Sequence, residues 1–250
     1  MSGHSKWASI KHKKAIVDSR RGQQFTKLAR AITVAARDGG GDPDANATLE
    51  NAIRKAKLAS MPKDNIERAI AKGTGAGGDG EAALETVLYE GYGPGGVAVL
   101  VEAVTDNRNR TGADVRHAFS KYGGSLGEPG SVAYLFDKKG TIAIDAARHD
   151  EDELMVAVEA GAEDITADEG LWEVVAEPAD YAAVFAALEG AGVAIESAEM
   201  GYRPSSLVPI DESQANSLMR LIEALEESDD VGEVHANFDV PAEVLERVVG

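Results

Sequence analysis

An α+β protein is predicted, with an N-terminal three-helix domain followed by two α/β domains, one inserted into the other. Three observations lead there. Apolar residues recur at helical spacing as far as residue 73. Across the Gly-rich stretch from Thr74 to Gly80 the period changes to that of strands. Residues 139–204 then run strand, helix, strand, strand, helix, strand, the βαββαβ order of a ferredoxin-like unit.

Taken in order, residues 1–22 form a basic arm and residues 23–79 the helical domain. Phe25, Leu28, Ala29, Ile32, Ala35 and Ala36 define the apolar stripe of a first helix that stops at Gly39-Gly40-Gly41. At ~100° per residue, Lys27, Arg30 and Arg37 fall on the opposite face, which predicts one side that packs and one that is cationic. A second helix is expected from Asn46 to Ala59, and a third from Pro62, a good first-turn residue, to Gly73. Strands are expected at Ala83 to Glu90, Val97 to Thr105 and Ser131 to Phe136, with a helix from Thr111 to Tyr122 capped by Thr111 and Asp114. In the insertion, strands are expected at Thr141 to Ile144, Glu163 to Ala167, Leu171 to Ala176 and Val193 to Tyr202, with helices at Glu151 to Ala160 and Pro178 to Leu188. The remaining helix, Glu212 to Glu227, and strand, Val231 to Phe238, cannot bury their apolar faces alone. They are expected to return to the middle domain, giving it residues 80–138 and 205–250 around the insertion at 139–204.

Charge is segregated along the 250 residues. Residues 1–80 hold 15 Lys/Arg against 8 Asp/Glu, while residues 81–250 hold 10 against 35. One end suits a polyanion, and the rest repels it. No apolar run approaches the ~18 residues needed to span a membrane, no secretory signal is evident, and the absence of Cys fits a reducing compartment. The cytoplasm is the expected location.

Catalytic and cofactor motifs are weak. Two stretches match G-x-G-x-x-G, at Gly73, Gly75 and Gly78 and at Gly91, Gly93 and Gly96. The first follows a helix and the second joins two strands, whereas a dinucleotide site needs a strand before and a helix after. The five histidines show no metal-ligand spacing, and Asp150-Glu151-Asp152-Glu153 reads as acids at a helix start. No cofactor and no metal is expected. An enzyme using an acidic interdomain cleft would lack a nucleophile.

The informative residues are basic. Lys6, Lys11, Lys13 and Lys14 can neutralise phosphates beside His12, and Trp7 offers a stacking face; Arg20, Arg21, Lys27 and Arg30 extend this surface. Arg108 and Arg110 are expected just before a helix N-terminus, where cations are unfavourable without an anion, and they read as a second phosphate contact.

Three blocks carry a resemblance. They are Gly3-His4-Ser5-Lys6-Trp7-Ala8-Ser9-Ile10-Lys11-His12-Lys13-Lys14 with its continuation to Leu28; Tyr89 to Gly96 with Thr105 to Thr111 and Arg116-His117-Ala118-Phe119; and Gly130 to Phe136. In this order they resemble the YebC/PmpR family. The resemblance implies three domains, one inserted in another, and a role in gene expression. Bacterial members are described as DNA-binding transcriptional regulators. The family also includes the mitochondrial translational activator of cytochrome c oxidase subunit I, and bacterial relatives are regarded as ribosome-associated factors that relieve stalling at proline-rich sequences. Lys6, Lys11, His12, Lys13 and Lys14, together with Asn107, Arg108, Asn109 and Arg110, carry over as contacts. The motif begins at residue 2, which favours a bacterial cytoplasmic protein over one with a transit peptide. The bundle helices offer no convincing recognition helix, so the expected partner is rRNA or tRNA in the ribosome, with DNA as the alternative. Basic ribosomal proteins are a further expected partner of the acidic remainder, and a monomer is the default state.

Overall fold

The computed structural model describes residues 18–75, 84–168 and 170–249. The chain divides into two compact units, one formed by the residues up to Phe136 together with Pro204–Gly250 and the other by Asp137–Arg203.

In the first unit, α1 (Asp18–Gly39), α2 (Ala47–Leu58) and α3 (Lys63–Gly73) pack around Ile32, Ala35, Ala36, Leu49, Ala56, Met61, Ile66 and Ala69. Asn46 caps α2: its side chain accepts from the Leu49 N–H and donates to the Ala35 and Gly40 carbonyls, so one buried amide ties two helix ends together. Gly73 closes α3 against α1. A Cβ there would meet the Thr33 carbonyl well inside contact distance and Ala36 Cβ at 2.8 Å. The first glycine of the apparent dinucleotide fingerprint is thus a helix-crossing residue. Gly73→Ala is expected to lower the thermal stability of the helical domain by roughly 1–3 kcal/mol, readable as earlier loss of helical ellipticity.

The middle sheet has the strand order β3-β1-β2-β9, built from β1 (Glu85–Tyr92), β2 (Ala98–Thr105), β3 (Ser125–Leu126) and β9 (Val231–Ala236). β2 pairs antiparallel with both β1 and β9, so the C-terminal strand does return to the middle sheet, as its apolar face required. Val97, Val99, Val101 and Ala103 line one face against α4 (Arg108–Lys121) and α7 (Glu212–Glu226), which contribute Val115, Phe119, Leu218, Leu221 and Ile222. Alternation places Leu100 and Glu102 on the other face. There α1 lies against β2 and β9. The second fingerprint, Gly91 to Gly96, joins antiparallel β1 and β2 with no helix following. Gly91 is required by proximity, since a Cβ would sit 2.6 Å from the Ser125 carbonyl and 2.7 Å from the Phe119 ring.

The second unit comprises most of β4 (Phe136–Asp145), then α5 (Glu151–Glu159), β5 (Ala162–Asp168), β6 (Leu171–Ala176), α6 (Tyr181–Gly190) and most of β7 (Ile195–Pro204). Its sheet order, β5-β6-β4-β7, is the ferredoxin-like arrangement expected. The acids at 150–153 do start a helix: Asp150 caps α5 and forms a capping box with Glu153. His149 accepts the Ala194 N–H at Nε2 and bonds Glu153 through Nδ1, a structural position.

Several expectations need correction. The strand expected over Ser131–Phe136 is a short 3-10 turn at Ala133–Leu135, after which β4 runs ten residues instead of beginning at Thr141. The helix expected from Pro178 starts at Tyr181. The short parallel pair of β8 (Val208–Pro209) with β10 (Phe238–Asp239), and α8 (Ala242–Val249), were not anticipated.

Candidate nucleic-acid interface

Residues 81–250 carry only ten Lys/Arg, and four of them, Arg108, Arg110, Arg116 and Lys121, lie on α4. The helix forms because Thr111, Val115, Ala118 and Phe119 recur on one side and are buried there. At ~100° per residue this directs Asn109, Arg116, His117 and Lys121 outward, and all are exposed. Among the described residues, the Arg116 and His117 side chains have no ion-pair or hydrogen-bond partner. Lys121 Nζ lies 5.1 Å from the centre of the Tyr122 ring.

The helix start differs from expectation. α4 begins at Arg108, and its cap is Asn107, whose side chain accepts from the Arg110 N–H at 3.1 Å; Thr111 is buried inside the helix instead of capping it. Arg108 and Arg110 therefore occupy the first turn. A cation is unfavourable there, and both are compensated within the chain. Arg110 bonds Asp106 at 2.6 Å and Asp230 at 2.9 Å, while Arg108 lies 3.6 Å from Glu85 and stays 62% exposed. Arg108 remains open to a phosphate, whereas Arg110 is already committed to carboxylates.

Asp230 is the centre of this network. Its buried carboxylate receives Arg110, Thr111 Oγ1 at 2.7 Å, Thr105 Oγ1 at 3.3 Å and Arg30 from α1. Burial pushes its pKa up, but the hydrogen bonds from Arg110, Thr111 and Arg30 outweigh that and hold it down at about 2.

The cationic face of α1 is likewise turned onto the protein, which corrects the expectation of a free face. Lys27 donates to the Glu226 carbonyl and Arg30 to the Val104 and Asp229 carbonyls besides Asp230; Arg37 reaches Asp38 and the Leu84 carbonyl. Gln23 donates to the Glu227 carbonyl. Lys55 of α2 pairs with Glu233, which lies beside His235 and Glu102 on the paired strands β9 and β2. That trio is close enough to hold a cation, and the Lys55 ammonium already lies against it.

Lys6, Trp7, Lys11, His12, Lys13 and Lys14 lie outside the described residues, as do the side chains of Arg20 and Arg21 at the start of α1. Arg116, His117 and Lys121, exposed on the same helix, were not among the residues expected to bind, although the count of cations per helix singles out this segment.

A cationic helix on an acidic, multidomain α+β body defines a protein whose exposed positive charge is gathered on selected elements. Comparison with known proteins gives the particular family. Residues 5–76 match the TACO1/YebC protein N-terminal domain, and residues 84–238 match the TACO1/YebC second and third domain. The chain belongs to the TACO1/YebC family. It is similar to a "Probable transcriptional regulatory protein" of Rubrobacter xylanophilus, with 55% identity over 251 residues covering 100% of both chains. A protein of the same description from Thermobifida fusca is 52% identical, covering 99% of this chain and 100% of that one. The crystal structure of a conserved hypothetical protein from Aquifex aeolicus superimposes with a TM-score of 0.84 at 51% identity, over 94% of this chain and 97% of that one. No helix among the described residues is long and apolar enough to cross a membrane.

Proposed function

We propose that this protein is a cytoplasmic, non-enzymatic regulator of gene expression that binds RNA in the ribosome and assists synthesis through proline-rich stalls. The observation that carries the nucleic-acid reading is α4, which gathers four of the ten cations found in residues 81–250 and leaves Arg116 and Lys121 exposed. The basic arm supplies a second grip, with Trp7 as a base-stacking group. Preference for RNA is supported by α1, whose cationic side lies on the protein itself in the unbound chain, so that the helix is not presented ready to read a major groove. Stall relief rests on the family resemblance. The second reading, a DNA-binding transcriptional regulator, is favoured by the description of the relatives.

Arg116→Ala combined with Lys121→Ala tests the reading through binding to single-stranded RNA. Each phosphate contact contributes roughly 0.7 to the slope of log affinity against log salt for single strands. The double variant is expected to bind more weakly at every salt concentration, with a slope shallower by about 1.4. An unchanged slope would remove α4 from the interface. Tighter, sequence-selective binding to duplex DNA would favour the second reading.

A further inference from the structure

The cations expected to face phosphate on the helical domain are already occupied. Residues 226–233, Glu-Glu-Ser-Asp-Asp-Val-Gly-Glu, contain five acids in eight positions. This one segment accepts from Gln23 at the Glu227 carbonyl, from Lys27 at the Glu226 carbonyl, from Arg30 at the Asp229 carbonyl and the Asp230 carboxylate, and from Lys55 at the Glu233 carboxylate. Charged and carbonyl oxygens spaced along the end of α7, the turn after it and the start of β9 offer these donors what a phosphate backbone offers: a row of oxygen acceptors with net negative charge.

We propose that the oxygens of segment 226–233 are an internal stand-in for nucleic-acid phosphate, covering Lys27, Arg30 and Lys55 until the phosphates of a polyanion compete for these side chains, while β9 stays paired with β2. The proposal rests on the nucleic-acid reading above and adds regulation to it. Three features support it. The named links across this seam all run from a side-chain donor of α1 or α2 to an oxygen of segment 226–233 or of neighbouring β2, so one competing polyanion can replace several together. Asp229 and Glu227 are exposed, so their charges add to the field without being locked in ion pairs among the described residues. The partly exposed pair of Lys55 with Glu233 is weak and salt-sensitive and opens at modest cost, whereas Arg30 with the buried Asp230 is the costliest link and the last to exchange. Nucleic acid would first be captured by α4, and the helical domain would contribute its contacts only after these side chains exchange the segment's oxygens for phosphate. Apparent affinity is the intrinsic affinity scaled by the fraction of molecules in which these cations are uncovered.

The test compares two full-length variants with the same change in net charge. Glu233→Gln removes an acid that touches Lys55, and Glu223→Gln removes an exposed acid of α7 that has no side-chain partner among the described residues. Against a uridine 20-mer at fixed salt, Glu233→Gln is expected to bind roughly fivefold tighter than Glu223→Gln, the lower end of usual coupling between sites. Amide hydrogen exchange in residues 226–231 of the unmodified protein is expected to quicken several-fold when the 20-mer is bound. Equal affinities of the two variants, or exchange unchanged at saturation, would overturn the stand-in role while leaving nucleic-acid binding intact. Failure of the 20-mer to bind any of the three proteins at low salt would overturn both readings.

Discussion

Asp230→Ala is expected to destabilise the unit containing the helical and middle domains by roughly 2–3 kcal/mol at pH 7, the range for removing one partner of a buried charged network when the surviving arginines keep some water. The substitution takes an acceptor from Thr105 and Thr111, both buried, and releases Arg30 and Arg110 from their shared acceptor. Arg110 then leaves a positive charge uncompensated by Asp230 in the first turn of α4, where the macrodipole opposes it. The pH dependence has a definite sign. The folded pKa of Asp230 lies at about 2, below the ordinary aspartate value of 3.8, so its stabilisation is fully present above the unfolded value and is lost as pH falls toward 2. That contribution is roughly 2 kcal/mol. Urea denaturation at pH 7 and across pH 2–5 checks both statements. The variant should lack this part of the wild-type loss below pH 4, and an identical acid limb in the two proteins would contradict the network's role.

A comparable effect is expected for Glu90→Ala. The Glu90 carboxylate is buried on β1 and accepts backbone N–H groups from Gly130 at 2.6 Å, Val132 at 2.8 Å and Ala133 at 2.7 Å. One side chain thereby organises the turn that leads into β4. Burial raises its pKa, but these backbone donors outweigh burial and leave it lowered, so the charged form is the one the turn holds. Alanine leaves three donors facing an unfilled space, at roughly 1 kcal/mol or more for each one that cannot reach water. The expected result is a loss of about 3 kcal/mol, with fast amide exchange at Gly130, Val132 and Ala133. Because the lowered pKa makes this contribution fade in acid, the difference between variant and wild type should narrow as pH falls below the ordinary glutamate range. Exchange at those amides that matches wild type would contradict the assignment.

Periodicity revealed most of the architecture because each element has one clearly apolar side. The stripe of α1, the βαββαβ order of residues 139–204 and the need of Leu218, Leu221 and Ile222 for a covering sheet were all legible. The turn over Gly130–Leu135 was not, because its apolar Val132 and Phe136 look like strand residues while the feature that bends it, Glu90, lies forty residues earlier. α8 and the β8–β10 pair were missed for a related reason: short elements follow from tertiary contacts more than from local pattern. The start of α4 was misplaced because Asn107 and Thr111 both suit a cap, and Thr111 is drawn inward by Thr105 and Asp230.

The site was legible as charge and illegible as pairing. Counting cations pointed to the arm, α1 and α4, but Arg30 and Arg110 meet the same aspartate 200 and 120 residues away, which no local spacing could indicate. Arg116 and Lys121 lie in a segment the cation count already singles out, and burial of Val115 and Phe119 fixes that they face outward.

Cosedimentation with purified ribosomes tests the central claim most directly, comparing the unmodified protein with the variant Lys11→Ala, Lys13→Ala, Lys14→Ala at low and moderate salt. The proposed RNA-binding role predicts that the unmodified protein travels with the ribosome at low salt and is released as salt rises, while the triple variant stays in the supernatant throughout. Equal cosedimentation of the two proteins, or absence of the unmodified protein from the ribosomal fraction at low salt, would contradict it.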